Sequence, residues 1–229
     1  MLTGPMPLEL LDYVRDLFAP EDDNLRLISQ SLKETGMPEG WEISRDVGQF
    51  FVLMCRLIGA KRVVEFGTLA GHSAYWLSQG LPDDGKVISI ELNAEWAEVA
   101  QQNLAKVGVG HKVEVRVGSA TEMMAPLLAE VDATGQKYDA IFLDAAKAHY
   151  PEFLVWSEEV LRPGGLLFAD NVLRADSWKD GARTLTHPLH EQSRREAERQ
   201  RRREGGAKRS CAKRQPHRER SARGVEGVP

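Results

Sequence analysis

The 229-residue sequence contains only two cysteines, Cys55 and Cys211, and no apolar run long enough to span a membrane. Cys55 lies in a predicted helix and Cys211 in a polar segment, so we expect no structural disulfide and predict a reducing, cytoplasmic location. Residues 1–11 lack the basic start and long apolar core of a signal peptide. Hydrophobic residues nevertheless make up 42% of the chain, which is enough for the core of one α/β domain with additional segments.

Positive charge is scarce in the body of the chain and concentrated at its end. The formal net charge is −4, but residues 190–229 contain 13 Lys and Arg against 6 Asp and Glu, which leaves about −11 for the preceding part. Residues 187–229 are therefore predicted to form a basic, disordered tail. Such a tail could hold the phosphates of a nucleic acid, although glutamates interrupt its arginines and it has no aromatic residue to stack on bases.

Between residues 63 and 169, short apolar runs alternate with stretches of helical periodicity. Strands are predicted at residues 63–66, 87–91, 113–117, 138–143 and 166–169. One helix is predicted to begin near residue 73, and three more are predicted at residues 94–106, 123–131 and 151–161. This alternation predicts an α/β fold with a doubly wound, mostly parallel, Rossmann-like sheet. Polar and apolar residues alternate strictly in the third strand, which indicates a position at or near an edge. Residues 162–165 (Arg-Pro-Gly-Gly) are predicted to turn the chain into the fifth strand.

The segments before the sheet also show helical periodicity. Residues 8–34 carry two apolar stripes separated by Pro20, and the glycines at 36 and 40 break the helical pattern after them. Ser44 is placed to cap the next helix. We therefore predict an N-terminal helical cap at residues 1–40, a main domain at 41–186 and the tail at 187–229.

A glycine turn at residues 67–71 joins the first strand to a helix. Its glycines lack the spacing of the dinucleotide fingerprint, because Leu69 fills the middle position, and no Gly-Lys-Ser/Thr of a P-loop follows. Glu65 would repel a pyrophosphate, so the turn suits a cationic or amine-bearing ligand. The pattern E-x-G-x-x-x-G-x-S resembles motif I of the class I S-adenosylmethionine (SAM) methyltransferases, although an ordinary turn between strand and helix is the alternative.

Acidic residues end three of the predicted strands: Glu65, Glu91 and Asp144. Parallel strands share one carboxyl end, so these side chains should lie on one rim of the sheet. Glu91 is placed to accept both hydroxyls of a ribose, although a solvated strand end is the simpler interpretation. Residues 118–120 end the third strand, where backbone groups could meet an adenine edge.

A second group of polar residues follows the fourth and fifth strands. Asp144, Asp170 and Asn171 offer two carboxylates and an amide oxygen, which suit Mg²⁺, Mn²⁺ or Ca²⁺ better than Zn²⁺. Lys147, held in a cleft near a metal, is expected to have a depressed pKa and to take a proton from an acceptor hydroxyl. Taken singly, the Asp-Asn pair is a common turn and the lysine a surface residue; their shared placement favours the functional interpretation.

Together these motifs resemble the cation-dependent O-methyltransferases, the caffeoyl-CoA and catechol O-methyltransferase-like family, from about residue 44 to residue 173. They are Ile43-Ser44-x-x-x-Gly48-Gln49-Phe50, Glu65-Phe66-Gly67-Thr68, Gly71-His72-Ser73, Leu143-Asp144-Ala145-Ala146-Lys147 and Asp170-Asn171-Val172-Leu173. The resemblance implies SAM contacts at Ile43, Glu65, Gly67, Thr68, Ser73, Glu91, Ala120 and Asp144. It also implies metal ligation by Asp144, Asp170 and Asn171, with Lys147 as the base and Asp144 beside it in catalysis.

The resemblance implies a SAM-dependent enzyme that methylates a hydroxyl of a small catechol-like or phenolic substrate, and a homodimer is left open. Two alternatives remain: methylation of a hydroxylated uridine in transfer RNA, and a non-catalytic SAM-binding protein. His72 and Ala146 depart from the family pattern, which usually has a tyrosine and an aspartate or aromatic residue there. Past residue 176 the further helix and strands of the family are not recognisable, so we expect missing C-terminal strands and an altered C-terminus.

Overall fold

The computed structural model describes residues 8–172, which contain a five-stranded parallel sheet. The strands are β1 (Arg62–Phe66), β2 (Lys86–Glu91), β3 (Val113–Val117), β4 (Tyr138–Leu143) and β5 (Leu161–Ala169). They are ordered β3-β2-β1-β4-β5, and every neighbouring pair is parallel. The chain runs outward from β1 to β3 and then returns to β4 beside β1, which is the switch point of a doubly wound sheet. The predicted fold class is confirmed.

Seven α-helices accompany the strands in the described part of the chain. They are α1 (Leu8–Phe18), α2 (Asp23–Thr35), α3 (Arg45–Leu57), α4 (His72–Gln79), α5 (Ala94–Lys106), α6 (Ala120–Thr134) and α7 (Tyr150–Val160), with a 3₁₀ turn at Lys147–His149. Helix α6 is longer at both ends than its periodicity predicts. Gly135, with a left-handed backbone, ends it by donating its N–H to the Val131 carbonyl at 2.7 Å.

Alternating side chains of the sheet build two hydrophobic layers. Val63 belongs to a cluster with residues of α2, α3, α4 and α5, whereas Val64 belongs to a cluster with residues of α6 and α7. Helix α2 contributes three fully buried side chains to the first layer: Leu25, Ile28 and Leu32. The N-terminal helices are therefore present as predicted, and α2 shares the core of the sheet; a domain boundary at residue 40 stays a prediction.

The prediction that residues 162–165 form a turn before the fifth strand is wrong. The Arg-Pro-Gly-Gly segment at residues 162–165 is a bulge inside the strand, because Tyr138 pairs with Leu161 and Ala140 with Leu166. Arg162 holds this bulge by donating to Asp139 Oδ1 at 2.5 Å and to the Ile58 carbonyl at 2.8 Å. The sequence shows the turn-forming residues, but these two long-range contacts keep them within the strand.

Among the described strands, β3 pairs with β2 alone, which agrees with its predicted position at or near an edge, and β5 pairs with β4 alone. The predicted tail at residues 187–229, its nucleic-acid role, the missing strands and the altered C-terminus lie outside the described residues. Between residues 8 and 172, no helix combines the length and hydrophobicity that a membrane crossing requires.

Candidate cofactor and acceptor site

The carboxyl ends of the strands form one rim, as the sequence predicts. Backbone hydrogen bonds continue past the strand ends: Gly67 N–H donates to the Ile90 carbonyl at 2.9 Å, and Asp144 N–H donates to the Phe66 carbonyl at 2.8 Å. Asp170 N–H donates to the Leu143 carbonyl at 3.0 Å in the same way. The rim therefore places the glycine turn beside the residues that follow β4 and β5.

Two glycines of the glycine turn are required by its geometry. Gly67 has a φ of 104°, and a side chain there would collide with the carbonyl oxygen of Asp144. Gly71 has a φ of 94° and lies against the side chain of Leu104 in α5. Leu69 also has a positive φ, 51°, a conformation that costs a non-glycine residue free energy. The turn is thus packed closely against the end of β4 and against α5.

Glu91, at the end of β2, binds the backbone of the glycine turn. Its Oε2 accepts the N–H groups of Thr68 at 3.2 Å and Leu69 at 2.9 Å, and its Oε1 accepts the N–H of Asn93 at 3.0 Å. These bonds hold the buried carboxylate in place and fix the turn. A carboxylate has further acceptor capacity, so contact with a ribose stays a prediction that this geometry permits.

Glu65, at the end of β1, is fully buried beneath the turn. Ser89 donates a hydrogen bond to its Oε2 at 2.5 Å, and the Thr68 hydroxyl lies 2.5 Å from that of Ser89. Burial raises the pKa of Glu65 to about 8, although the Ser73 and Ser89 hydroxyls lower it, so the side chain is a neutral acid near pH 7. Its Oε1 has no hydrogen-bond partner among the described residues.

The first turn of α4 directly follows the glycine turn in the chain. Its N-cap is Gly71, which offers no side-chain oxygen to the free N–H groups of the helix start. Ser73 and His72 are both buried there. Burial lowers the pKa of His72 despite the nearby acidic residues, so the imidazole is neutral near pH 7, and its Nδ1 lacks a partner within the described part of the chain. His72 therefore offers an imidazole at the position where the family usually has a tyrosine.

Lys147 and Tyr150 connect the carboxyl ends of β4 and β5 through hydrogen bonds. Lys147 Nζ donates to Asp144 Oδ1 at 2.6 Å and to the Tyr150 hydroxyl at 2.9 Å. The Tyr150 hydroxyl lies 2.7 Å from the Leu143 carbonyl and 3.0 Å from the Asp170 carbonyl, to either of which it can donate. We call Asp144, Lys147, Tyr150 and Asp170 the strand-end cluster. Tyr150 is not among the residues predicted for the site, although its spacing of three residues from Lys147 is a signal for a shared face.

The depressed pKa predicted for Lys147 is wrong for this arrangement. Burial does lower the pKa of Lys147, but the ion pair with Asp144 and the hydrogen bond to Tyr150 outweigh that effect and raise it overall. Burial raises the pKa of Asp144, Lys147 lowers it, and the charge of Asp170 raises it again. The two aspartates are therefore close enough for one to disfavour the ionisation of the other.

The predicted metal ligands Asp144, Asp170 and Asn171 follow the ends of β4 and β5, and metal binding by them stays a prediction. Asp144 and Asp170 each follow a paired position of β4 and β5, Leu143 and Ala169, so the two carboxylates end neighbouring strands. Asn171 has a φ of 52°, and its N–H donates to Asp170 Oδ1 at 2.6 Å. Residues 8–172 contain no group of three or more His, Cys, Asp or Glu side chains that could hold a metal ion. A site here needs the amide oxygen of Asn171 as its third protein ligand.

The remaining predicted SAM contacts are Ile43 and Ala120. Ile43, in the loop before α3, is buried in the first hydrophobic layer. Ala120 begins α6 after β3 and packs against the second layer. The glycine turn, the Glu65 side chain and the strand-end cluster thus share one rim, with Ile43 and Ala120 on opposite faces of the sheet.

Comparison with known proteins finds similarity to O-methyltransferases in both sequence and structure. A profile of the O-methyltransferase family matches residues 22–192, a longer span than the motifs predict. The catechol O-methyltransferase of Niastella koreensis is 39% identical over 162 residues, which are 71% of this chain and 72% of the relative. Caffeoyl-CoA O-methyltransferase 2 of Zea mays is 32% identical over 170 residues, or 72% of this chain. The chain spans only 62% of that maize relative, less than two thirds of its length.

The solved structures include a similar fold with a bound cofactor. An O-methyltransferase from Streptomyces achromogenes involved in tomaymycin synthesis, determined in complex with SAM, has a TM-score of 0.69 and 34% sequence identity. The similarity covers 76% of each chain.

Proposed function

Because the chain belongs to the O-methyltransferase family, we propose that it transfers a methyl group from SAM to a hydroxyl of a small catechol-like or phenolic substrate. Family membership confirms the resemblance and the predicted enzyme class. The acceptor, the metal and the site residues belong to the proposal. One observation carries it: the approach of Gly67 to the Asp144 carbonyl puts the glycine turn directly beside the strand-end cluster.

The residues around the glycine turn fit SAM. Glu65 Oε1 is buried and has no hydrogen-bond partner within residues 8–172, so the positive charge of an amino-acid ammonium group or of a sulfonium nearby would favour the ionised form of Glu65. No side chain of the described residues caps the N–H groups in the first turn of α4, which suits the carboxylate of the same ligand. SAM, when bound, supplies a methyl group on a positively charged sulfur.

The strand-end cluster fits a hard cation. Asp144 and Asp170 end neighbouring strands, and the charge of Asp170 raises the pKa of Asp144, a repulsion that a cation would relieve. Asn171 adds an amide oxygen of the kind that Mg²⁺, Mn²⁺ and Ca²⁺ accept. A divalent cation, when bound by these three residues, would supply Lewis acidity that lowers the pKa of an acceptor hydroxyl.

Lys147 is the proposed acceptor of the hydroxyl proton. Its Nζ can take that proton only in the neutral form, and the ion pair with Asp144 opposes the neutral form. We therefore assign Lys147 this role for the state in which another positive charge engages Asp144. Tyr150 keeps Nζ directed at the rim through its 2.9 Å hydrogen bond. Transfer of the methyl group from SAM would require the acceptor oxygen to lie in line with the methyl carbon and the sulfur, so holding the hydroxyl and SAM in alignment is the main demand on these residues.

The experiment combines calorimetry with a methyl-transfer assay. We expect SAM to bind the purified protein, and catechol or a caffeoyl ester to be methylated with Mg²⁺ but not with EDTA. Asp170→Ala should abolish turnover and leave SAM affinity nearly unchanged, because Asp170 belongs to the metal site. Asp84→Ala is the matched control, since Asp84 forms an exposed ion pair with Lys61 away from the rim. Full turnover in EDTA would refute the metal, and absence of SAM binding would refute the proposed function.

A further inference from the structure

A buried hydrogen-bond chain runs from α2 to the glycine turn through Asn103 of α5. Asn103 is 1% exposed, and its Nδ2 donates to the Ser31 hydroxyl at 2.7 Å and to the Ala70 carbonyl at 3.0 Å. Both amide protons are therefore used. Ser31 in turn donates to the Ile28 carbonyl at 2.6 Å, within α2. A buried amide with both protons paired is costly to displace, so this chain ties α2 to the turn rigidly.

The contact at Ala70 is one of two that fix the turn from opposite ends. Glu91 accepts the N–H groups of Thr68 and Leu69, and Asn103 donates to the carbonyl of Ala70, the next residue. Leu69 lies between these anchors in its left-handed conformation. Such a conformation persists only when the surrounding structure holds it, so the loss of either anchor should relax the turn.

Helix α2 is also attached to the helix that follows the turn. The Tyr75 hydroxyl of α4 donates to Asp22 Oδ2 at 2.8 Å, and Asn24 Nδ2 donates to the same hydroxyl at 3.1 Å. Asp22 is the N-cap of α2, and its Oδ1 accepts the N–H of Leu25 at 2.8 Å. Helix α2 is therefore connected to the glycine turn at Ala70, through Asn103, and to the first turn of α4 at Tyr75.

We propose that Asn103 is a positioning residue that couples the docking of α2 to the shape of the glycine turn, so that SAM affinity depends on Ser31 through Asn103. The proposal rests on the SAM site proposed above. Coupling between two sites is reciprocal, so bound SAM should also protect the backbone of α2.

The test uses two single variants, the double variant that combines them, and a control in α5, the helix that contains Asn103. Ser31→Ala removes the α2 partner and places a good helix former in α2, and Asn103→Asp replaces the donating amide by an acceptor of the same size. Gln101→Ala is the control, because Gln101 Nε2 donates to the Val115 carbonyl at 3.0 Å and contacts neither α2 nor the turn through that bond. Each protein is examined by calorimetry with SAM and by amide hydrogen exchange with and without SAM.

Ser31→Ala should weaken SAM binding by about fivefold or more, the lower end of usual coupling strengths. It should also speed exchange of the Thr68 and Leu69 amides in the ligand-free protein and reduce the protection that SAM gives α2. The double variant should bind SAM no more weakly than Asn103→Asp alone, because both changes break one chain. Gln101→Ala should change SAM affinity by less than about twofold.

The outcomes separate this proposal from the proposed function. If wild-type protein binds SAM and Ser31→Ala behaves like Gln101→Ala in affinity and exchange, the coupling is refuted and the function stands. If exchange at Thr68 and Leu69 responds to Ser31→Ala but the wild type binds no SAM, the proposed function fails, and the claim about SAM affinity fails with it. Additive losses in the double variant would refute a shared chain.

Discussion

Replacing Glu65 by glutamine should change the way in which stability depends on pH. The carboxyl group is fully buried, and its pKa is about 8 in the folded protein against a usual value of 4.5. Because the folded-state pKa is raised, the folded state holds a proton that the unfolded chain releases above about pH 4.5. The stabilisation is complete below that pH and is lost as the pH rises toward 8.

The magnitude follows from the size of this shift. Each pH unit between the two pKa values lowers the free energy of unfolding by about 1.4 kcal/mol, so wild type should lose about 3 kcal/mol through Glu65 between about pH 5 and pH 7. Over the whole range the loss is about 5 kcal/mol. Glutamine has the same size and no titrating proton, so Glu65→Gln should not lose this contribution.

The assay is urea unfolding followed by tryptophan fluorescence at about pH 5, 6, 7 and 8. The free energy of unfolding of Glu65→Gln minus that of wild type should grow by about 3 kcal/mol from about pH 5 to about pH 7 and level off above about pH 8. Glu95→Gln, at an exposed position in the first turn of α5, is the control and should run parallel to wild type. A constant difference between Glu65→Gln and wild type across this range would refute the buried neutral acid.

Four further substitutions test the rim and its supports. Glu91→Gln should weaken SAM binding by about 1–3 kcal/mol in calorimetry, because charge-assisted bonds to the turn are lost; equal affinity would place the cofactor elsewhere. Gly67→Ala should lower the urea midpoint far more than Gly108→Ala, which has a similarly positive φ but nothing within 4 Å of the added methyl group. Asp139→Asn should lower the free energy of unfolding by about 1–3 kcal/mol by weakening the Arg162 contact, with SAM affinity unchanged. Tyr150→Phe should reduce turnover about tenfold, the effect of losing one bond to a charged group, while SAM affinity stays the same; unchanged turnover would exclude a positioning role.

The order of elements was accessible from the sequence because it depends on local patterns. The alternation of β3 and the periodicity of α5 predict elements that match the structure at both ends. The bulge in β5 was not accessible, since Pro163 and Gly164 carry a turn signal in any context. Arg162 is held by Asp139 and by the carbonyl of Ile58, which are 23 and 104 residues away along the chain, and these contacts keep the bulge within the sheet.

The rim itself was also determined by the sequence. Residues that end parallel strands must meet on one side of the sheet, so Glu65, Glu91 and Asp144 could be brought together without coordinates. The hydrogen-bond partners of these groups, and the raised pKa of Glu65 and of Asp144, were decided by the tertiary structure. Electrostatic and hydrogen-bond energies change steeply with distance and burial, which sequence spacing does not specify.

Three side chains show this difference. The sequence indicates that Glu65 is acidic, but burial in the fold makes it a neutral acid. Lys147 was expected to lose its proton readily, yet the structure pairs it with Asp144 and raises its pKa. Asn103 has no distinguishing motif, and it reaches Ser31 and Ala70 only because α2, α5 and the glycine turn pack together. The sequence by itself determined which elements form and which chemical groups reach the rim. Only the packing of distant segments decided their charges and contacts, because burial and distance arise from the folded chain as a whole.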